Sequence, residues 1–188
     1  MYENKDVPQG YMERWQQSAD LVAAAARVPA ALVMRVWPEQ IEVLISSLGD
    51  DNPYEEHEKA DLGTGLYCET VMATREALLV PDALLDPAWD HNPDIRLNMI
   101  SYLGVPLVWP DDTIFGTVCM LDRKSRDFRP PSLQLLLGLK DLIEADFRAI
   151  CGSERETRDE QRLQDFKARV RSLSAETTAA PPPSSQRH

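Results

Sequence analysis

The 188-residue chain is poor in the residues that carry most protein chemistry: it has three cysteines and three histidines. Three is an odd number for a disulfide framework. The first residues, Met1 to Asp6, have neither a basic flank nor an apolar stretch, so the expectation is no export signal and a reducing cytoplasm. Basic charge is scarce too. Twenty Lys and Arg stand against 31 Asp and Glu, a formal net charge of -11, which argues against non-specific binding to nucleic acid or an anionic membrane surface. Hydrophobic runs are short. A membrane span needs about 20 apolar residues, and the longest tract, Leu21 to Trp37, is broken by Arg27, Pro29 and Arg35, which are costly in hydrocarbon. Metal-ligand spacing is missing: Glu55, Glu56, His57 and Glu58 are consecutive and read as a solvated acidic turn. Gly63-Thr64-Gly65 is too short for a phosphate-binding loop and lacks its lysine.

What is present is a composition with 43% hydrophobic residues and a mean hydropathy of -0.37, enough for one domain with its own core. Met12, Trp15, Ala19, Val22 and Ala26 recur at steps of three and four, which predicts a helix over about residues 8–27, stopped by Pro29. Ala30 to Trp37 reads as a strand, paired across Pro38-Glu39 with a second strand over Ile41 to Ser47. Gly49 to Asp61, acidic and interrupted by Asn52-Pro53, predicts a loop with a short helical turn. A short helix over Leu66 to Thr74 follows, then a short strand over Leu78 to Pro81. Next comes a long loop from Asp82 to Leu97, with a helical turn at Asp94 to Leu97. Two strands come after it, Ser101 to Trp109 and Thr113 to Leu121. Pro130-Pro131-Ser132 opens a final helix, with Leu136, Ile143, Phe147 and Ile150 on one stripe. A second stripe, Leu163, Phe166, Val170 and Leu173, lies beyond Gly152-Ser153, where the phase changes and continuity is open. The Pro- and Ser-rich end from Ser174 predicts disorder.

This element order implies an α+β fold: a central antiparallel sheet of five or six strands with helices packed on it and long N- and C-terminal helices. Three segments carry a resemblance: Leu79-Val80-Pro81-Asp82, Tyr102-Leu103-Gly104-Val105-Pro106-Leu107, and Phe115-Gly116-Thr117-Val118-Cys119-Met120-Leu121-Asp122. In this order and at these separations they resemble a GAF domain over roughly residues 14–150. Gly65-Leu66-Tyr67-Cys68-Glu69-Thr70 and Trp109-Pro110-Asp111 are similar to the subgroup found beside PAS modules, histidine kinases and diguanylate cyclases of bacteria. The chain then divides into an extension of the first helix (1–13), the GAF-like sensor domain (14–150), a charged helical extension (151–173) and a disordered tail (174–188). The resemblance implies a ligand cavity between the sheet and its covering loops. Two departures stand out. Asp111-Asp112-Thr113 replaces the Asp-Gly common at such hairpins, which disfavours positive φ there. No kinase or cyclase motif follows residue 150, so any output passes through the terminal helices or a separate signalling protein.

Cys68 is the sharpest chemical candidate, because backbone N–H groups at a helix start favour a thiolate. Free methionine-(R)-sulfoxide reductases, a GAF-like branch, carry cysteines near this helix and in the following loop. Here the segment from Asp82 to Ile100 has none, and Cys119 and Cys151 read as packing residues. Glu69 stands where phytochrome-type GAF domains carry a histidine beside their bilin cysteine, which argues against a chromophore. The expected ligand-binding set is Trp37, Tyr67, Cys68, Trp89, His91, Asn98 and Tyr102, a mixture of aromatic walls and polar groups suited to a pocket. For Trp37, Tyr102 and the neighbouring Trp109, ordinary packing is an equal alternative. No catalytic residue, metal or cofactor is assigned.

The favoured expectation is a non-catalytic cytoplasmic sensor of an unidentified small molecule. Trp15, Ala19 and Val22, with Leu136, Ile143, Phe147 and Ile150, could pair two copies into a homodimer, unless the same stripe covers the chain's own sheet. The alternatives are a sulfoxide-reductase-like thiol enzyme and a ligand-free dimerisation module.

Overall fold

The computed structural model describes residues 5–178. Helix α1 (Gln9–Ala26) leads into strands β1 (Ala30–Val36) and β2 (Gln40–Ser46), a short edge strand β3 (Lys59–Asp61), helix α2 (Tyr67–Thr74) and strand β4 (Leu78–Val80). Two 3-10 turns, Ala83–Leu85 and Pro93–Leu97, precede the long strands β5 (Ser101–Val108) and β6 (Ile114–Asp122), and α3 (Pro130–Thr178) follows. The six strands form one sheet in the order β3-β2-β1-β6-β5-β4, every pair antiparallel.

The four central strands, β2, β1, β6 and β5, are buried on both faces because both faces are covered. On β1, Ala30, Leu32 and Met34 belong to the front layer, which includes residues of α2 and the 83–100 segment. The alternate residues Ala31 and Val33 are equally buried and point to the opposite face, as pleat geometry requires. On that back face Trp15, Phe115, Trp109 and Phe147 form a continuous aromatic group, with Trp15–Phe115 and Trp15–Phe147 edge-on at 6.2 and 5.7 Å. Edge-to-face contacts of this kind add about 0.5–1.5 kcal/mol each beyond burial. The buried carboxylate of Asp146 joins the two helices, accepting from Trp15 Nε1 at 2.8 Å and pairing with Arg14. On α3, Lys140 donates to the Pro106 carbonyl at 2.7 Å, and Glu144 accepts from the Val108 N–H at 3.0 Å.

The stripe expected to pair two copies covers the chain's own sheet. Trp15, Ala19, Leu136, Ile143 and Phe147 are fully buried, and Val22 nearly so, within a single chain. A two-fold bundle has to use other residues. Arg126 ties the end of β6 to the end of α1: it pairs with Asp122 and donates to the Ala26 and Arg27 carbonyls.

Other expectations shift in detail. β3 was legible only as loop, because its three residues are all exposed and carry no alternation. The hairpin after β5 closes without glycine: Asp112 takes φ 67°, a conformation that Asp tolerates through local hydrogen bonding. Arg75 holds it in place with an ion pair to its carboxylate at 3.0 Å and a bond to its carbonyl at 2.9 Å. Helix continues through Gly152-Ser153 to Thr178, where a tail was expected from Ser174, and residues 179–188 lie outside the described residues. No helix among the described residues is long and apolar enough to cross a membrane.

Gly116 leaves no room for a side chain. The pairing between β5 and β6 slips at this point, Leu107 facing Gly116 and Val108 facing Ile114, so Phe115 is an extra residue that joins the back aromatic group. Gly116 has φ +156°, and a Cβ there would lie 1.9 Å from the Met34 carbonyl oxygen. Gly116→Ala is expected to lower unfolding stability by at least about 2 kcal/mol, read as a drop in the urea midpoint with an unchanged slope. A variant as stable as the parent would remove the bulge from this account.

Candidate functional site

The front layer hangs from a loop organised by one carboxylate. Glu69, in the first turn of α2, accepts from the backbone N–H groups of Gly63 (2.8 Å), Thr64 (3.2 Å), Gly65 (3.0 Å) and Leu66 (3.0 Å). Converging four N–H groups requires left-handed backbone, and Gly63 and Gly65 supply it at φ 81° and 86°. The loop thus cradles the chain's own anion. Asn92, itself buried, donates to the Gly65 carbonyl at 2.8 Å and accepts from the Asp94 N–H at 2.9 Å, which fixes the second 3-10 turn to this loop.

Helix α2 so anchored lays Cys68 against the sheet. Thr117 Oγ1 donates to Cys68 Sγ at 3.3 Å, and the Tyr102 hydroxyl lies 3.5 Å from the same sulfur. Tyr102 reaches it by lying flat along β5, which Gly104 permits: a Cβ on residue 104 would sit 2.0 Å from the tyrosine oxygen. Cys119, opposite Gly104 on β6, lines the same cavity as Cys68. The neighbouring Cys119 thiol, with the hydroxyls of Thr117 and Tyr102, holds the Cys68 thiol below its ordinary pKa in spite of burial, while the Cys119 thiol, fully buried beside Cys68, is pushed up.

Beside these sulfurs is a cavity of about 150 Å³. Its floor is Leu32, Met34, Ile41, Val43, Cys119 and Leu121 from the sheet. Its walls are Leu66, Cys68 and Tyr102, and its outer side is Tyr54, Pro93, Asp94 and Leu97. Glu58, Lys59 and Ala60, all exposed, also line it, so the cavity reaches solvent at that end. An apolar cavity of about this volume takes one benzene-sized ring; pockets for larger ligands start at roughly 300 Å³. The polar wall is Asp94, whose Oδ1 accepts from the Tyr54 hydroxyl at 2.9 Å. Burial, with Glu58 adding repulsion, raises the Asp94 carboxyl to a pKa of about 6, and burial beside Asp94 raises the Tyr54 hydroxyl well above its ordinary value.

Of the seven residues expected at the site, Cys68 and Tyr102 line the cavity. Tyr67 and Trp89 stand one layer behind: Tyr67 is stacked on Tyr102 at 4.7 Å and touches Trp89 at 5.2 Å, and its buried hydroxyl has no hydrogen-bond partner. The other three are placed elsewhere by local chemistry. Trp37 closes the first hairpin, donating to Glu42 at 2.6 Å beneath the Arg35 guanidinium. His91 is exposed and bonded to Asp90 at 3.2 Å. Asn98 is exposed and ends the second 3-10 turn in left-handed conformation, φ 59°. Sequence reasoning missed Asp94, Tyr54, Thr117 and the part played by Cys119. The signal for the last two was available, since residues 117, 119 and 121 alternate onto one face of a strand. Asn92-Pro93-Asp94 was likewise legible as a capped turn, but not its aim. Among the described residues no group of three or more His, Cys, Asp or Glu is placed to hold a metal ion.

Asp94 gives the site a pH signature. Its folded pKa is raised above that of the unfolded chain, so protonation stabilises the fold fully below the ordinary value of 3.8, and this is lost as pH rises through about 6. Asp94→Asn, which keeps an acceptor for Tyr54, is expected to raise stability at pH 7 by roughly 1–3 kcal/mol and to flatten the stability profile between pH 4 and pH 6. Chemical denaturation across that range checks it; an unchanged profile would mean that the carboxyl is better solvated than its burial implies.

The comparisons with known proteins agree with this geometry. Among solved structures, the GAF domain of an Acinetobacter phosphoenolpyruvate-protein phosphotransferase is 16% identical, with a TM-score of 0.59 over 82% of this chain and 90% of that one. Free methionine-R-sulfoxide reductase from Neisseria meningitidis, in complex with its substrate, is 15% identical, with a TM-score of 0.62 over 76% of this chain and 81% of that one. The GAF domain of a two-component sensor histidine kinase from Bacillus halodurans is 10% identical, with a TM-score of 0.59 over 77% of this chain and 97% of that one. At these identities the likeness shows the fold alone. No curated protein sequence matches the chain. The family model for the GAF domain matches residues 13–145, the whole sheet and most of α1, and the chain belongs to the GAF domain family.

Proposed function

We propose that the chain is a non-catalytic sensory module whose ligand is a small, largely apolar molecule about the size of one ring, bound in the front cavity. The observation that carries this reading is the cavity itself: sheet side chains floor it, one desolvated carboxylate marks its polar end, and one side reaches solvent. A hydroxyl or amine on such a ligand would find Asp94 as its acceptor. A tetrapyrrole or a cyclic nucleotide exceeds the volume. Occupancy would bias the position of the 83–100 segment, and the ligand would shift the protein only by its differential affinity for the two arrangements.

The proposed setting is the cytoplasm, with output carried by the terminal helices to a second copy or a separate signalling protein. Because the α1 and inner α3 stripe is occupied by the sheet, pairing with a second copy would fall to other faces of the terminal helices. The adjacency of Cys68 to Cys119 supports a second reading, a thiol enzyme acting on a sulfoxide. It predicts thiol-dependent turnover of free methionine sulfoxide, where the sensor reading predicts none.

A thermal-shift series with phenol, aniline and related single-ring compounds tests the reading. A ligand at about 100 times its Kd adds about 2.7 kcal/mol, several degrees in Tm for a domain of this size. Val43→Phe, which fills the cavity from its floor, is expected to fold and to lose the response. An absent shift across the series, or a Val43→Phe variant that responds as the parent does, would overturn the cavity as receptor site.

A further inference from the structure

We propose that Cys68 and Cys119 form a peroxide-reactive dithiol, and that small organic hydroperoxides are the substrate class admitted to it. The inference deepens the reading above and rests on the same cavity being open to small molecules. Three observations carry it. Both cysteines line the one cavity, and Cys119 lies two residues along β6 from the Thr117 that contacts Cys68. Cys68 receives a hydroxyl donor from Thr117 at 3.3 Å and faces a second, Tyr102, at 3.5 Å, the arrangement that favours a thiolate in an apolar surround. The floor is aliphatic, so it retains the alkyl or aryl part of a hydroperoxide and offers nothing comparable to hydrogen peroxide.

The chemistry balances without further reactants. The Cys68 sulfur attacks the distal oxygen of the hydroperoxide, the O–O bond breaks, and the thiol proton leaves with the departing alkoxide as an alcohol. Sulfur is oxidised by two electrons to the sulfenic acid and the peroxide is reduced. The Cys119 sulfur then attacks Cys68, an S–S bond forms, the S–OH bond breaks, and water leaves with the Cys119 proton. The product ties α2 to β6 across the cavity, so oxidation and occupancy would compete for one space. Cys119, a packing residue to the eye reading sequence, is the resolving partner that the 82–100 segment lacks.

The experiment uses the full chain carrying Cys151→Ser, treated with one equivalent of cumene hydroperoxide. Expected are the loss of two thiols, a mass lower by two hydrogens, and a single cross-linked peptide joining Cys68 to Cys119. Cys119→Ala should stop at a sulfenic acid trapped by dimedone, and Cys68→Ala should be inert, each variant checked for folding by circular dichroism. Hydrogen peroxide should react at least about tenfold more slowly. Thiols that persist, oxidation that survives Cys68→Ala, or equal rates with hydrogen peroxide would overturn the proposal, and peptide mapping of the chain carrying only Cys151→Ser decides even if the further variants fail to fold. If single-ring compounds stabilise the protein while the thiols stay reduced, this inference fails and the receptor reading stands; if the thiols oxidise with no ligand response, the reverse holds.

Discussion

Four backbone N–H groups converging on the Glu69 carboxylate are the constraint on which the front half of the molecule depends. Without them the exposed N–H groups of Gly63, Thr64 and Gly65 would turn to water and the turn would lose the carboxylate that shapes it, while the N–H of the buried Leu66 would lose its partner. With them the turn is rigid, α2 starts at a fixed point, and Cys68 meets the sheet one residue before the acid that anchors it. Asn92 extends the same network into the 83–100 segment, so wall and outer side of the cavity share one support. A residue that at first sight only replaces a histidine is thus the hub of the site.

The two faces of the sheet do different work. The back is filled with rings and aliphatic side chains, closed by Asp146 and by the bulge at Phe115–Gly116. The front has small residues in its central strands, Gly104 in the middle of β5 and Thr117 and Cys119 in the middle of β6, with the cavity beside them. Tyr102 lies over Gly104, so that one side chain occupies the area of two positions.

Most of the fold was legible because its signals are local. α1, the first hairpin, α2 and the two long strands declare themselves through periodicity and through Pro and Gly at their ends. β3 did not, since three exposed residues carry no alternation and pair only because β2 offers an edge. The site was legible in part. Cys68, chosen for its place at a helix start, and Tyr102, chosen as an aromatic with packing as an equal alternative, both line the cavity, whereas local partners claimed Trp37, His91 and Asn98. Asp94 and Tyr54 were invisible because they lie 40 positions apart, and nothing in either neighbourhood announces a bond between them. The meeting of Cys68 and Cys119 in one cavity wall was hidden for the same reason: strand register decides it, and register is a property of pairs.

The guanidinium of Arg126, planted on the last residue of β6 and gripping the carbonyl groups that finish α1, fastens that strand to the first helix. Cys119 and Leu121, two of the cavity's contact points, lie within three residues of that junction at Asp122. The strand that floors the cavity is thus joined to the N-terminal helix by polar contacts at the rim, separate from the aromatic stack behind the sheet.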